Sequence, residues 1–207
     1  YNLYNISFGG PIFPTKSLAK VFNFFGGVER QYLKVRNPSY IAEDLFENGH
    51  IPNFSQKIWS FNGKLNINLQ EIKKSKIPVN LRLGALVTQD VGQRFVVSYQ
   101  KLNSFRNPLQ RIDNYQFYGR ISHNVTSKFF YELQGTYFKS KDELGDAFFR
   151  DDWFAYGDTS KVPGLPRQGT VILPATSTEN IFASPNTVFN RYTLYNISYY
   201  GGKLDAT

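Results

Sequence analysis

Apolar and polar residues alternate one by one over long stretches of this chain. Across 60–70 the odd positions Phe61, Leu65, Ile67 and Leu69 are apolar, with Gly63 among them, while Asn62, Lys64, Asn66, Asn68 and Gln70 are polar. A period of two predicts a β-strand with one apolar and one polar face. Val79, Leu81, Leu83, Ala85 and Val87 repeat the pattern against Asn80, Arg82, Gly84, Leu86 and Thr88. Tyr115, Phe117, Gly119 and Ile121 do so against Gln116, Tyr118, Arg120 and Ser122, and Phe129, Tyr131, Leu133, Gly135 and Tyr137 against Glu132, Gln134 and Thr136. A further hairpin is expected near the start, where Tyr4, Ile6 and Phe8 share a face and Phe22, Phe24 and Val28 line the partner strand. About seven or eight strands are expected.

Turn residues separate the strands unevenly. Short connections such as 71–78, with Lys73, Lys74, Lys76 and Pro78, alternate with longer polar stretches over roughly 34–58, 89–113 and 140–190, which hold most of the Pro, Asn and Asp. A short amphipathic piece at 41–49 is expected to form a helical turn. No domain boundary and no low-complexity tract interrupts the chain, so 1–207 is read as part of one domain.

Antiparallel alternation fits two environments. A soluble sandwich or barrel turns the apolar parity inward, whereas an outer-membrane barrel turns it toward lipid and the polar parity toward a wet lumen. Four features favour the membrane, the first being that the connections differ sharply in length between the two ends, as in barrels with short periplasmic turns and long outer loops. The apolar stripes approach the roughly 9–11 residues that a tilted spanning strand needs. Aromatic residues gather toward strand ends at Tyr4, Phe8, Trp59, Phe61, Tyr115, Tyr137, Tyr199 and Tyr200, as rings with an apolar body and a polar tip do at headgroup level. Lys64, Arg82, Arg120 and Glu132 all fall on the polar parity, which spares about 2–4 kcal/mol for each Lys or Arg kept out of mid-membrane lipid. The reading is an antiparallel transmembrane β-barrel segment with short periplasmic turns and long extracellular loops. Phe61, Leu65, Ile67, Leu69, Val79, Leu81, Leu83, Phe117, Ile121 and Leu133 are expected to face lipid. Asn62, Lys64, Asn66, Asn68, Arg82, Arg120, Glu132 and Gln134 are expected to face the lumen.

Composition narrows this further. No run of about 18 apolar residues exists, which excludes a transmembrane helix but not a spanning strand. Cysteine is absent, so neither a disulfide framework nor a thiolate metal site is available. Methionine is absent too, and no secretory leader is visible at the start, so the chain is expected to be an internal segment of a longer polypeptide. Aromatic residues are abundant, with 19 Phe and 14 Tyr. The balance is basic, 24 Lys and Arg against 16 Asp and Glu, but Lys73, Lys74 and Lys76 read as solvated turn charge, not a nucleic-acid footprint.

Candidate chemistry is sparse. His123 follows Ser122, but neighbours in a strand point opposite ways, so they do not form a nucleophile and base; His50 lies in a loop. No catalytic constellation stands out and no enzyme is expected. Asp142, Glu143, Asp146, Asp151, Asp152 and Asp158 could offer oxygen ligands to calcium, though at no EF-hand spacing; otherwise no cofactor is expected. Asp151, Asp152, Trp153, Phe154 and Tyr156 form the acidic and aromatic stretch expected to contact substrate from an outer loop. Sequons at Asn5, Asn53, Asn124 and Asn196 carry little weight in a bacterial outer-membrane setting.

The run YNISFGGPIFPTKSLAKVFNFFGGVER resembles the early barrel of TonB-dependent outer-membrane receptors, in the Oar-like branch that carries a carboxypeptidase-regulatory-like leader domain. Gly9, Gly10 and Pro11 match the Gly-Gly-Pro ending of a descending strand, and FNFFGGVE, with Glu29, the rising strand after a periplasmic turn. GRISHNVTSKFFYELQGTYF and GGKLDAT are similar to later parts of such barrels. The resemblance touches about half of the chain and implies a closed barrel of about 22 strands around a plug. It implies a Gram-negative outer-membrane location and TonB-driven uptake of a substrate held by the outer loops. The implied partners are outer-membrane lipids, the plug and remaining strands, the TonB complex and a possible lid lipoprotein. The plug and TonB box fall outside this segment. A passive porin would share every strand pattern, and a soluble all-β module, for instance for carbohydrate, would turn the apolar parity into an internal core. The phrase LYNISFGG at 3–10 returns as LYNISYYGG at 194–202, and is read as two strands obeying one rule.

Overall fold

The computed structural model describes residues 1–16, 18–34, 55–71, 78–99, 103–126, 128–158, 160–161, 183 and 186–206. It is an all-β structure with almost no helix. The seven strands are β1 (Asn2–Pro11), β2 (Phe22–Lys34), β3 (Ser55–Asn68), β4 (Val79–Gln93), β5 (Leu109–Asn124), β6 (Phe130–Gly145) and β7 (Thr193–Ala206). They form one antiparallel sheet in simple sequence order, so each strand pairs with the one that follows it. Consecutive connections therefore alternate between the two ends of the sheet. Residues 12–21, 69–78 and 125–129 join strands at one end, and 35–54, 94–108 and 146–192 at the other; these are called here the turn end and the loop end.

The register fixes which side chains share a face. Leu65 stands opposite Leu83, which stands opposite Gly119; Ile67, Leu81, Ile121, Leu133 and Leu204 form the next row toward the turn end. In antiparallel pairs, directly opposed residues project to the same side, so the odd positions of β3 to β6 share one face, which is apolar from the row of Ala85 and Phe117 to that of Ile67 and Leu133. The opposite, polar face carries rows such as Asn66, Arg82, Arg120, Gln134 and Lys203. One-residue slips would exchange the faces.

The repeated phrase has a geometric meaning. It occupies the two edge strands, and Phe8 and Tyr200 lie in a single cross-sheet row through Gly26, Gly63, Ala85, Phe117 and Tyr137. The extra tyrosine of the second copy shifts its first half by one residue. Only the aromatic-Gly-Gly portion therefore keeps its face.

The strands outrun their apolar alternation. β4 continues past Val87 to Gln93, β5 begins at Leu109 and β6 runs on to Gly145. These extensions lie inside stretches that alternation assigns to loops. Their side chains are mostly polar on both parities, as in Lys139, Ser140, Lys141, Asp142 and Glu143, so periodicity is silent there while backbone pairing continues. Leu69, expected in β3, instead opens a 3₁₀ turn at Leu69–Glu71. The expected helical turn at 41–49 lies outside the described residues.

No second layer covers the sheet among the described residues. The buried hydrophobic side chains are Val21, Tyr99, Ala155 and Val188, and none belongs to a strand. Val21 closes the first turn, where its amide donates to the Leu18 carbonyl at 3.0 Å and its own carbonyl accepts from the Asn68 amide at 2.8 Å. The other three sit among the connections of the loop end.

Candidate functional site

The apolar face is a band with marked borders. Toward the loop end its limit is Trp59, stacked on Phe61 at 6.0 Å and covered by the Arg30 guanidinium at 5.2 Å. Toward the turn end it closes at His123 and Tyr131, whose Nδ1 and Oη are 3.1 Å apart. Between the row of Lys139 and that of His123, no charged side chain projects from this face in any strand. Phe61, Leu65, Ile67, Val79, Leu81, Leu83, Phe117, Ile121 and Leu133 all lie on it, with Leu83 41% and Leu133 49% exposed. His123 and Ser122 stand on opposite faces, and Ser122 Oγ donates to Glu132 at 3.2 Å, so the two form no catalytic pair. His50 and Lys73, Lys74 and Lys76 lie outside the described residues.

Asn62, Lys64, Asn66, Asn68, Arg82, Arg120, Glu132 and Gln134 lie together on the polar face. Arg120 pairs with Glu132. Arg82 stands directly beside Arg120, a like-charge juxtaposition that needs a high-dielectric or acidic neighbourhood. Asn66 Oδ1, Asn80 Oδ1 and Arg120 Nε are sequestered on this face without a partner among the described residues. Groups of that kind are normally satisfied by water or by another polar chain. Tyr118 lies flat over Gly84, so that any side chain at 84 would overlap its ring.

At the loop end, two connections fold onto one another into a cap. Asp146 is fully buried and accepts from the Phe148 and Phe149 amides at 2.9 and 3.3 Å, from Arg106 Nη1 at 3.3 Å and from the Phe189 amide at 3.3 Å. The Arg106 guanidinium lies 4.8 and 5.4 Å from the Phe148 and Phe149 ring centres. Buried Asn103 donates to the Ala183 carbonyl at 3.2 Å and accepts from the Thr187 amide at 3.1 Å. Connection 94–108 is thereby tied to connection 146–192. Burial pushes Tyr99 up to about 12, with the Asp146 charge adding to the effect.

The five residues expected to touch substrate take different roles in this cap. Asp152 caps the short helix α1 (Trp153–Gly157), accepting from the Ala155 amide at 3.2 Å. Tyr156 accepts from the Asp146 amide and donates to the Arg150 carbonyl, both at 2.9 Å, and burial raises its pKa to about 12. Trp153 meets Tyr192 edge-on at 4.5 Å. Phe154 is 89% exposed, and Asp151 is exposed, its carbonyl accepting from the Trp153 amide at 3.0 Å. The acidic residues considered for calcium are dispersed: Asp142 faces Gln110, Glu143 pairs with Lys141, Asp146 with Arg106, and Asp158 with Ser160, which holds its carboxyl below the usual range. Among the described residues no cluster of three or more His, Cys, Asp or Glu is arranged to hold a metal.

Below the cap, on the polar face, the strand extensions enclose a cavity of about 740 Å³. Its wall holds Gln31, Gln56, Asp90, Gln93, Arg94 and Gln110. Gln56 Nε2 donates to Asp90 at 2.6 Å, Gln110 Nε2 to both oxygens of Asp142 at 2.8 and 3.0 Å, and Gln31 Nε2 to Glu29 at 2.5 Å. Gly92 lies directly beneath Gln56, where an added Cβ would crowd that side chain at 3.3 Å. Alternation misses this wall because its residues lie beyond the apolar stripes. The signal that finds it is the persistence of Gln and Asp on the polar parity at 56, 90 and 110.

Comparison with known proteins returns no match to any family model, curated protein or solved structure.

Proposed function

We propose that the chain forms part of the wall of a closed transmembrane β-barrel in a Gram-negative outer membrane, with its apolar face toward lipid and its polar face toward a wet lumen. The observation that carries this reading is a sheet one layer thick whose apolar band stays uncovered among the described residues while the opposite face holds the charges at that depth. A soluble sheet buries that face against a second layer, and an exposed apolar patch of this extent marks an interface with something apolar. Val79–Val87 spans nine positions, the depth that a tilted strand needs to cross hydrocarbon (about 9–11 residues). The edges of β1 and β7 require further strands, because only closure satisfies edge amides and carbonyls within lipid. The shorter connections then belong to the periplasmic side and the longer ones to the exterior.

Within that wall the resemblance of the early hairpin to TonB-dependent receptors supports energised uptake. The outer loops capture a substrate, and a plug elsewhere in the protein, moved by the TonB complex, admits it. A lid lipoprotein over the outer mouth fits the same scheme. The test uses the full-length protein from washed outer membranes. A detergent-dependent species that migrates faster unheated than boiled, has an intact mass several times that of this segment and binds the periplasmic domain of TonB is expected. A barrel that ignores TonB would be a passive porin, and a water-soluble species would end the membrane reading.

A further inference from the structure

We propose that the cavity between the strand extensions binds a neutral, polyhydroxylated ligand of the oligosaccharide class. The proposal rests on the barrel reading, which places this wall at the outer mouth of the lumen. Its chemistry is read from how the amides are used. Gln31, Gln56 and Gln110 each spend their NH₂ group on a carboxylate, leaving the amide oxygen free to accept. Of the three carboxylates so held, Asp90 lines the cavity and has no ion-pair partner among the described residues, so its remaining lone pairs also accept; Glu29, which accepts from Asn5 as well, and Asp142 stand outside the lining and orient Gln31 and Gln110. The wall therefore presents three amide oxygens and one carboxylate as acceptors. The pairs on β3/β4 and β5/β6 stand two strands apart, about 10 Å.

Three ligand classes meet that wall differently. An anion is opposed by Asp90, and a polycation by Lys34 and Arg94, all three of which line the cavity. Hydroxyl groups suit both parts, since each donates to these acceptors and accepts from the Lys34 and Arg94 donors. Tyr1 and Phe95 add aromatic surface at the rim, against which the C–H face of a sugar ring packs.

The experiment applies full-length protein in detergent to an array of neutral glycans, and measures affinity for the strongest hit by calorimetry with hexalysine as the charged control. Neutral glycan binding is expected, at least tenfold weaker in Gln56→Leu and in Gln110→Leu and unchanged in Gln116→Leu, which lies on the same face nearer the turn end. Heat-modifiable migration verifies that each variant is folded. No neutral glycan bound, preference for hexalysine, or binding indifferent to both cavity variants would overturn the proposal. A heat-modifiable barrel that fails on the array refutes this site alone, whereas a water-soluble protein refutes the barrel reading whatever the array returns.

Discussion

Leu83 in the sheet and Asp146 in the cap invert the usual arrangement of a folded chain. Leu83, with Leu65, Ile121 and Leu133 around it, stands in a charge-free band that nothing covers among the described residues, while Asp146, Asn103 and Asn107 are buried completely beneath the connections of the loop end. If the sheet lies in lipid as proposed, it needs no core of its own, because main-chain ladders hold it and an apolar surrounding suits its surface. The cap sits where strands have turned polar on both faces and must be stable in water. It is therefore built on a buried polar network, with Val188, Tyr99 and Ala155 as its small apolar complement. On the proposed barrel reading, one chain thus carries two regions made for two solvents.

That contrast is broken most strongly at Asp146. Asp146→Ala strips Arg106 and three backbone amides of their acceptor, and removing one partner of a buried pair costs about 3–5 kcal/mol. The loss is expected in the cap alone: limited proteolysis within 146–192 accelerates and the Phe148, Phe149 and Phe189 amides exchange faster, while heat-modifiable migration persists. Loss of both regions together would show that they are one cooperative unit.

Leu83 and Leu86 sharpen the sheet's half of the comparison, because both are 41% exposed on the same strand but on opposite faces. Leu83→Arg is expected to cost about 2–4 kcal/mol and to impair insertion into vesicles. Leu86→Arg should stay within about 0.5 kcal/mol. Equal effects would contradict the assignment of two solvents.

Alkali should separate the regions next. The phenols of Tyr99 and Tyr156 are raised to about 12 from an ordinary 10, so the unfolded cap ionises first. Their contribution is intact below about pH 10 and is lost as pH rises to about 12, at roughly 2–3 kcal/mol for Tyr99. Ultraviolet titration of tyrosine alongside cap proteolysis would follow it; the sheet's heat-modifiable migration should not move in step. Asp152→Ala, which removes the cap of α1 and an exposed ion pair with Lys161, is expected to cost about 1 kcal/mol and to increase proteolysis near Trp153 without freeing the Asp146 network.

Much of the sheet was legible because alternation is a direct image of the pleat: the faces of Phe61, Leu83, Ile121 and Leu133 follow from parity alone. The extensions at 89–93, 109–114 and 139–145 were not legible, since Gln, Asp and Lys on both parities leave no hydrophobic contrast to read. The cap hid for a related reason. Asp146, Arg106 and Asn103 are ordinary loop residues in sequence, and only long-range folding of two connections buries them. The acidic and aromatic stretch around Trp153 drew notice for its composition, yet Asp152 and Tyr156 serve the cap's own structure.

The central claim is that the apolar face meets lipid and not a hidden protein layer. The chain's lack of cysteine suits single-cysteine scanning of β4 in the full-length protein, at Leu81, Leu83 and Ala85 against Arg82 and Leu86. Each cysteine would be exposed in intact membranes to a charged maleimide, then labelled with bimane and reconstituted with brominated lipid. The account predicts that 81, 83 and 85 resist the maleimide and are quenched by the lipid, while 82 and 86 react and are not quenched. Odd positions shielded from both water and lipid would mean a second protein layer, and would contradict it.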